Sequence, residues 1–416
     1  MKNIHTLRAT VVAAVLASGS VAWATDGYFP HGYGMKSLGM GGAAVAMTDN
    51  AFAGANNPAT AAFAGNRYEM GVNLFSPKRS AATADGQGGM METKSDSHYF
   101  LVPEFGYNRD IDAKTSFGVT VYGNGGMNTN YPLPLMGGTG RTGVDLMQLI
   151  VAPTLAYKLN ESQSVGVSPL LVYQKFKAQG LQAFGLDPNK GADSSTGVGI
   201  RLGYFVKLSD QLSLGASYSP KVSMGKLDKY AGLFVNQGEF DIPANAAIGM
   251  AIQASPTVKL ALDYQQIKYG AVPAIANSSQ NILACFGGSS AQCLGGSNGP
   301  GFGWTHVNVV KLGGEWAYSS TITWRAGFNK STNPVRASDV TFNILAPAVM
   351  TKHYTLGGTY KLSKDAEFTW AYMYAPKNSV TGDSLFAPMN GMPMGAWQDT
   401  VRMSQQSLGV QYGWKF

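Results

Sequence analysis

The residues that could carry covalent chemistry are few, and their spacing argues against a catalytic centre. The chain has five histidines. Past residue 66, His98 and His306 fall on the bulky apolar parity of their segments, and only His353 lies on the opposite one. No Ser/His/Asp set for nucleophilic catalysis is evident. His31, alone in a Gly-rich stretch, reads as a hydrogen-bonding residue and not as a ligand. Gly39, Gly41 and Gly42 do not make a phosphate loop, because no strand precedes them and no Gly-Lys-Ser/Thr follows. The two cysteines, Cys285 and Cys293, share one polar Gly/Ser-rich segment with no further metal ligand nearby. In an exported chain this spacing predicts a local disulfide closing a short loop. The reading is therefore not an enzyme, with no cofactor and no metal.

What remains is the chemistry of binding. In the alternating segments described below, the parity opposite to the bulky apolar one carries Arg201, Lys259, Asp263, Lys311, Glu315, Arg325 and Glu367. Arg201 or Arg325 could hold a carboxylate, since a guanidinium presents a bidentate fork; alternatively these charges pair with one another or with the N-terminal segment. Two connecting stretches are apolar. One contains Leu133, Leu135 and Met136; the other contains Leu385, Phe386, Met389, Met392, Met394 and Trp397. Exposed apolar patches mark binding surfaces, and Met adapts to varied apolar partners. These stretches would capture a hydrophobic molecule, or pack on each other as a lid. Ten buried methylenes contribute roughly 8 kcal/mol, against about 1.5–3 kcal/mol for one hydrogen bond to a charged group. The apolar body of a ligand would thus dominate affinity, and residue types alone do not separate fatty acids from alkanes or aromatic hydrocarbons.

The elements that position these residues follow from composition and pattern. The chain is rich in Gly (52), Tyr (20) and Phe (19), with only 13% charged residues. Its net charge of +7 is spread out, with no basic run to track a phosphate backbone, so no nucleic-acid partner is expected. Lys2 and Arg8, an apolar run from Val11 to Ala17, and Ala22-Trp23-Ala24 predict a signal peptide over 1–24. No later segment has the roughly 18 apolar residues of a spanning helix. Fourteen segments alternate instead, at about 67–76, 97–108, 115–124, 143–158, 163–176, 196–208, 211–221, 245–254, 257–268, 303–318, 320–329, 350–361, 366–375 and 403–416. Their connections alternate strictly between short (Asn160-Glu161-Ser162, Ser209-Asp210, Ser255-Pro256) and long. Transmembrane barrels have this asymmetry, with tight periplasmic turns and long extracellular loops. One parity is apolar (Leu260/Leu262/Tyr264; Phe368/Trp370/Tyr372), the other small or polar, as lipid-out and lumen-in alternation requires. So wide a barrel must either conduct or be blocked.

Residues 25–66 precede the first strand, are rich in Gly and Ala, and show no sustained alternation, which predicts a plug. Here Gly27-Tyr28-Phe29, His31-Gly32-Tyr33-Gly34, Gly39-Met40-Gly41-Gly42-Ala43 and Asn57-Pro58-Ala59 resemble the hatch of the FadL/TodX family of outer-membrane transporters for hydrophobic compounds. The resemblance continues through Leu214-Gly215-Ala216-Ser217-Tyr218, Leu312-Gly313-Gly314-Glu315-Trp316, Leu356-Gly357-Gly358-Thr359-Tyr360 and the terminal Phe416. It implies an all-β protein: a fourteen-stranded antiparallel transmembrane β-barrel over 67–416 with an N-terminal hatch over 25–66 in its lumen. It further implies the outer membrane of a Gram-negative bacterium, with outer-membrane lipid and the barrel-assembly machinery as partners. A hydrophobic ligand would bind against the hatch, at Tyr28, Phe29 and Asn57-Pro58-Ala59, and leave sideways through a gap made by an inward kink in the third strand. That strand ends here in Tyr122-Gly123-Asn124-Gly125-Gly126, and Pro103 interrupts the second. Gly123, Gly125, Gly126 and Pro103 are thus gate candidates, or simply a loop start and an edge irregularity. The resemblance implies that Asn57-Pro58-Ala59 touches the gap. The expected function is passive transport of long-chain fatty acids, with aromatic hydrocarbons next and a general porin for polar solutes as the alternative.

Overall fold

The computed structural model describes residues 26–87, 89–135, 138–182 and 190–416. The expected leader and Met136 lie outside them. The strands are β1 (Arg67–Ala84), β2 (Met90–Lys94), β3 (Phe100–Asp110), β4 (Thr115–Asn128), β5 (Gly143–Lys158), β6 (Gln163–Gln179), β7 (Asp193–Lys207), β8 (Leu212–Ser219), β9 (Asn245–Ser255), β10 (Val258–Ile267), β11 (Val307–Ala317), β12 (Ile322–Ser331), β13 (Lys352–Lys361), β14 (Ala366–Asp383) and β15 (Gln398–Lys415). Successive strands pair antiparallel, and β15 pairs back onto β1 from Arg67↔Lys415 to Ala84↔Gln398. This closes a fourteen-stranded barrel. Closure pairs the first strand with the last, as a lipid environment demands, and leaves an unpaired edge only where β3 and β4 part.

The short strand β2 is not part of the closed wall. It lies beside the upper end of β1, from Ser80↔Lys94 to Ala84↔Met90, while β3 pairs with the lower part, from Arg67↔Asn108 to Phe75↔Phe100. The sequence reading missed β2 and ended β1 and β14 early, at 76 and 375. The physical reason is that these extensions have lost the apolar alternation: Thr83 donates to Asp399 at 2.6 Å and Thr381 pairs with Thr400 at 2.9 Å. The ladder runs on beyond the stretch where lipid imposes a pattern.

Alternation sorts the wall as expected. On β12, Trp324 faces outward while Arg325 and Asn329 face in and are buried; on β13, Tyr354 and Leu356 face outward and His353 is buried. Residues 26–66 fill the bore, with only one short α-helix, α1 (Met35–Gly39), and a 3-10 helix at Pro58–Phe63. Inward side chains around the wall bind the backbone of this segment. Glu104 accepts from Gly34, Gln411 from Met35, Thr355 from Gly41, Asp263 from Ala44 and Val45, and Glu69 from Ala51. A chain with almost no secondary structure of its own thereby satisfies its buried amides on the barrel. Its Gly and Ala content lets backbone approach backbone: the Cα of Gly39 faces that of Gly357, and Gly41 sits on Phe328.

Candidate functional site

At the periplasmic end the plug is locked by charge. The Lys36 ammonium lies 2.6 Å from Glu367 and 3.7 Å from Glu69, and donates to the Asp49 carbonyl at 2.7 Å. Burial pulls the pKa of Lys36 down, but the surrounding carboxylates outweigh this and hold it above its ordinary value. Beside this cluster, Arg325 is 2.6 Å from Glu315, donates to Thr359 at 2.6 Å, and is 5% exposed. Arg325 is therefore spent on the wall and does not face a ligand space, which corrects one of the two carboxylate candidates. Arg201 donates to the carbonyls of Gly54 and Ala55 in the plug. It nevertheless borders a cavity between plug and wall.

That cavity, ≈ 440 Å³ including its mouth, is lined by Phe29, Tyr33, Val45, Ala247, Arg201 and Lys311 among others. The Lys311 side chain, 7% exposed, makes no hydrogen bond or ion pair with another described residue. The carboxylates whose charge it feels, Asp26 and Asp263, accept hydrogen bonds through Oδ2, from Asn329 and from Ala44 and Val45, and the Oδ1 of each has no hydrogen-bond partner among the described residues.

The wall beside the plug is breached. Strands β3 and β4 pair only from Asp110↔Ser116 to Phe105↔Val121. Above that point Phe100–Glu104, containing Pro103, pairs with β1 on one side and with no strand among the described residues on the other, while the pairing of Tyr122–Asn128 is with β5. The β4–β5 register slips between Gly123 and Gly125, and residues 122–127 are all buried, so this part of β4 leans into the bore. Gly125 has φ +149°, and a Cβ there would overlap the Tyr28 carbonyl; the next residue, Gly126, donates to that carbonyl at 3.3 Å. The plug residue at the kink is therefore Tyr28. A second space, ≈ 290 Å³, lies against the opening, between Phe75 and Arg79 of β1, Gly126 and Met127 of β4, and Ala346–Ala348.

Asn57-Pro58-Ala59 does not touch this gap, contrary to expectation. Asn57 caps the 3-10 helix through Ala59 at 3.1 Å and donates to the carbonyls of Val45 (2.8 Å) and Tyr204 (3.0 Å). The wall makes room for it with Gly166, Gly203 and Gly215 on β6, β7 and β8, where side chains would collide with the motif. Both ends of the Asn57 side-chain amide are engaged, so its role here is to pin the plug to the β6–β8 wall, a few strands along from the kink in β4.

Tyr28 and Phe29 occupy the centre. The Tyr269 hydroxyl accepts from the amides of both, at 3.0 Å each, and donates to the Asp26 carbonyl at 2.8 Å. Ring contacts link Tyr28 to Tyr269 (5.1 Å) and Trp304 (6.2 Å). Above them the extracellular loops close over the bore. Trp304 donates to Asn343 at 2.6 Å, Asn343 to the carbonyls of Phe302 and Asp339, and Asp339 accepts from Ser278 and Ser279. Cys285 and Cys293 are joined in a disulfide within this cap.

The two apolar stretches both dock on the 332–351 loop. Tyr131 donates to the Ile344 carbonyl and Leu385 to Thr341. Leu135 and Leu385 are buried there, Phe386, Met389 and Trp397 are partly exposed, and Leu133, Met392 and Met394 point to solvent. They therefore do not surround one cavity. The cavity in the loops is built from residues not singled out in the sequence: Val144, Phe176, Phe234, Phe302, Phe342 and Leu345 line much of a space of ≈ 500 Å³ that is almost wholly apolar. No local signal marks them, because they come from five separated segments.

A closed barrel of this strand number, plugged by its own N-terminal segment and breached on one side, defines an outer-membrane transport barrel and not an enzyme. The chain belongs to the outer membrane protein transport protein family (OMPP1/FadL/TodX), whose family model matches residues 22–416. It is an outer-membrane transporter of hydrophobic compounds. Among solved structures, it is similar to the toluene transporter TodX of Pseudomonas putida (20% identity, 93% of this chain and 99% of that one, TM-score 0.68). It is similar as well to a FadL homologue of Pseudomonas aeruginosa (14%, 94% and 100%, TM-score 0.70). A third is the toluene transporter TbuX of Ralstonia pickettii (17%, 93% and 99%, TM-score 0.62). At these identities the likeness speaks for the fold. No curated protein sequence matches the chain.

Proposed function

We propose that the cargo is a hydrophobic carboxylate, a long-chain fatty acid first, carried passively to the lateral opening. The observation that carries this reading is Lys311, whose ammonium makes no hydrogen bond with another described residue, on a cavity bordered by Phe29, Val45 and Ala247 and by polar residues that include Arg201, Asn245 and Gln265. An ammonium in that setting is a costly thing to leave unpaired, and an incoming carboxylate would pair it. The acyl chain would supply most of the affinity by leaving water.

The route follows the three spaces. The apolar loop cavity takes the molecule from outside, the plug–wall cavity holds it, and the space beside β4 releases it into the bilayer. Phe29 lines the holding cavity while the adjacent Tyr28 carries the contact to Gly126 on β4. Displacing Phe29 would pull Tyr28 from the kink and open the path. Lateral exit keeps an apolar cargo out of the aqueous periplasmic mouth, where the Lys36 cluster seals the plug.

The second reading is a monoaromatic hydrocarbon, favoured by the absence of polar groups around the loop cavity and by the toluene transporters among the structural relatives. Isothermal titration of the detergent-solubilised protein with palmitate and with toluene separates them. With Lys311→Gln, palmitate affinity should fall about 10- to 150-fold, the worth of one charge-assisted hydrogen bond, and toluene affinity should hold. Binding of toluene but not palmitate by the unmodified protein would favour the second reading. High ion conductance with neither ligand bound would return the porin.

A further inference from the structure

The outward surface carries a second pattern that transport does not use. On β12 the lipid-facing positions run Trp324, Ala326, Phe328, Lys330; on the adjacent β13 they run Tyr360, Gly358, Leu356, Tyr354, Lys352. The register sets Trp324 against Gly358, Phe328 against Tyr354, and Lys330 directly against Lys352. The Phe328 and Tyr354 rings touch, with centroids 5.2 Å apart. Each strand therefore ends, on its extracellular side, in an interfacial aromatic followed by an ammonium one step further out. Lys377 on β14 and Lys268 just beyond β10 extend the row, and Lys330, Lys352 and Lys377 are exposed.

Like charges set directly opposite in a ladder repel. Yet none of these four ammonium groups makes an ion pair or hydrogen bond with another described residue, and the partner of Lys330 on β11 is Val310. At the periplasmic ends of the same strands the outward residues are Trp316, Trp324, Tyr360 and Phe368, paired in register as Trp316↔Trp324 and Tyr360↔Phe368. The exposed lysines there stand off that face or beside a carboxylate: Lys361 on the opposite parity, in register with Glu367, and Lys364 in the turn, 3.9 Å from Asp365. The asymmetry tracks the leaflet. An aromatic belt sits at the headgroup level of either leaflet, whereas a row of unpaired lysines just outside it is complementary to anionic headgroups on that side alone.

We propose that the outward face of β12–β14 is a binding site for a phosphate-bearing glycolipid of the outer leaflet. Lys330 and Lys352 engage its phosphate, Lys377 and Lys268 flank it, and its acyl chains lie along Phe328, Tyr354 and Leu356. A lysine offers a mobile point charge suited to a phosphate, and two phosphate-bound lysines no longer repel. The assignment rests on the outer-membrane location and is independent of the cargo.

The test is native mass spectrometry of the detergent-solubilised full barrel titrated with bis-phosphorylated lipid A. In Lys330→Gln/Lys352→Gln the affinity should fall about 30-fold, each charge being worth roughly a factor of five at a membrane surface. Lys330→Arg/Lys352→Arg should bind within about threefold of the unmodified protein, since charge is retained. Arg also provides the charged comparison if the Gln form folds poorly, as read from heat-modifiable gel mobility. Equal affinity of the folded Gln form, or equal affinity of the unmodified protein for dephosphorylated lipid A, would overturn the site. Competition by equimolar inorganic phosphate would overturn its assignment to a lipid.

Discussion

Tyr269→Phe isolates the anchor of the plug's N-terminus. The substitution keeps the ring that packs on Tyr28, Phe29 and Trp304 at centroid distances of 5.1, 5.8 and 5.2 Å, and removes only the hydroxyl. That hydroxyl, fully buried, accepts from two backbone amides and donates to one carbonyl. A buried donor left without a partner costs about 1–3 kcal/mol, so two orphaned amides cost at least about 2 kcal/mol. Gly34, Met35, Gly41, Ala44 and Ala51 are held by Glu104, Gln411, Thr355, Asp263 and Glu69, so the loss should stay local. Amide hydrogen exchange followed by mass spectrometry should show residues 26–33 opening about 30-fold more often, with residues 35–51 and the strands unchanged. If that exchange does not change, the hydroxyl is not the anchor. If protection falls throughout the barrel, the plug's N-terminus is not a separately opening unit, and the coupling drawn from Phe29 to β4 fails with it.

Gly125→Val should drive a side chain into the Tyr28 carbonyl at a position with φ +149°, and uptake of labelled palmitate by cells should fall at least about tenfold; uptake at the original rate would dissociate the kink from transport. Reducing the Cys285–Cys293 bridge, or Cys285→Ser/Cys293→Ser, relaxes a short loop worth about 2.5 kcal/mol in chain entropy, so exchange should rise over residues 281–298 while the barrel's melting stays put. Lys36→Met strips Glu367 of its ion pair and leaves Glu69 with Arg67 at 3.7 Å, at a cost of about 3–5 kcal/mol, and planar-bilayer recordings should show new open events as the plug loosens. Burial raises the Asp26 carboxyl from 3.8 to about 6, opposed by Lys311 and by hydrogen bonds from Asn329 and Ser331. Because the folded value lies above the unfolded one, this contribution to plug docking is full below about pH 4 and is lost as pH rises through about 6. Protection of residues 28 and 29, corrected for intrinsic exchange, should therefore be greater at pH 5 than at pH 7.5, and Asp26→Asn should flatten the difference.

Strand parity was legible because lipid on one side and a polar bore on the other act on every residue of a spanning segment. The inward placement of Arg201, Lys311, Arg325 and His353 followed from parity alone. Parity says nothing about partners across the bore, so Arg325, bound to Glu315, and Lys311, bound to no described side chain, read alike in the sequence. The glycines at 123, 125 and 126 marked a weak ladder, but the residue that meets the kink is Tyr28, while Asn57-Pro58-Ala59 packs further along the wall against three glycines of β6, β7 and β8.

The sequence by itself determined the barrel, its strand number, the loop asymmetry and the plug, because each is written in local patterns that solvent or lipid enforces residue by residue. Tertiary structure alone decided where the wall opens, which inward cations are paired, and that Tyr269 anchors Tyr28 from 241 residues away. Those depend on closure of the sheet, which brings β15 onto β1 and sets the plug against strands drawn from the whole chain. Contacts of that range leave no periodic trace in the residues that make them.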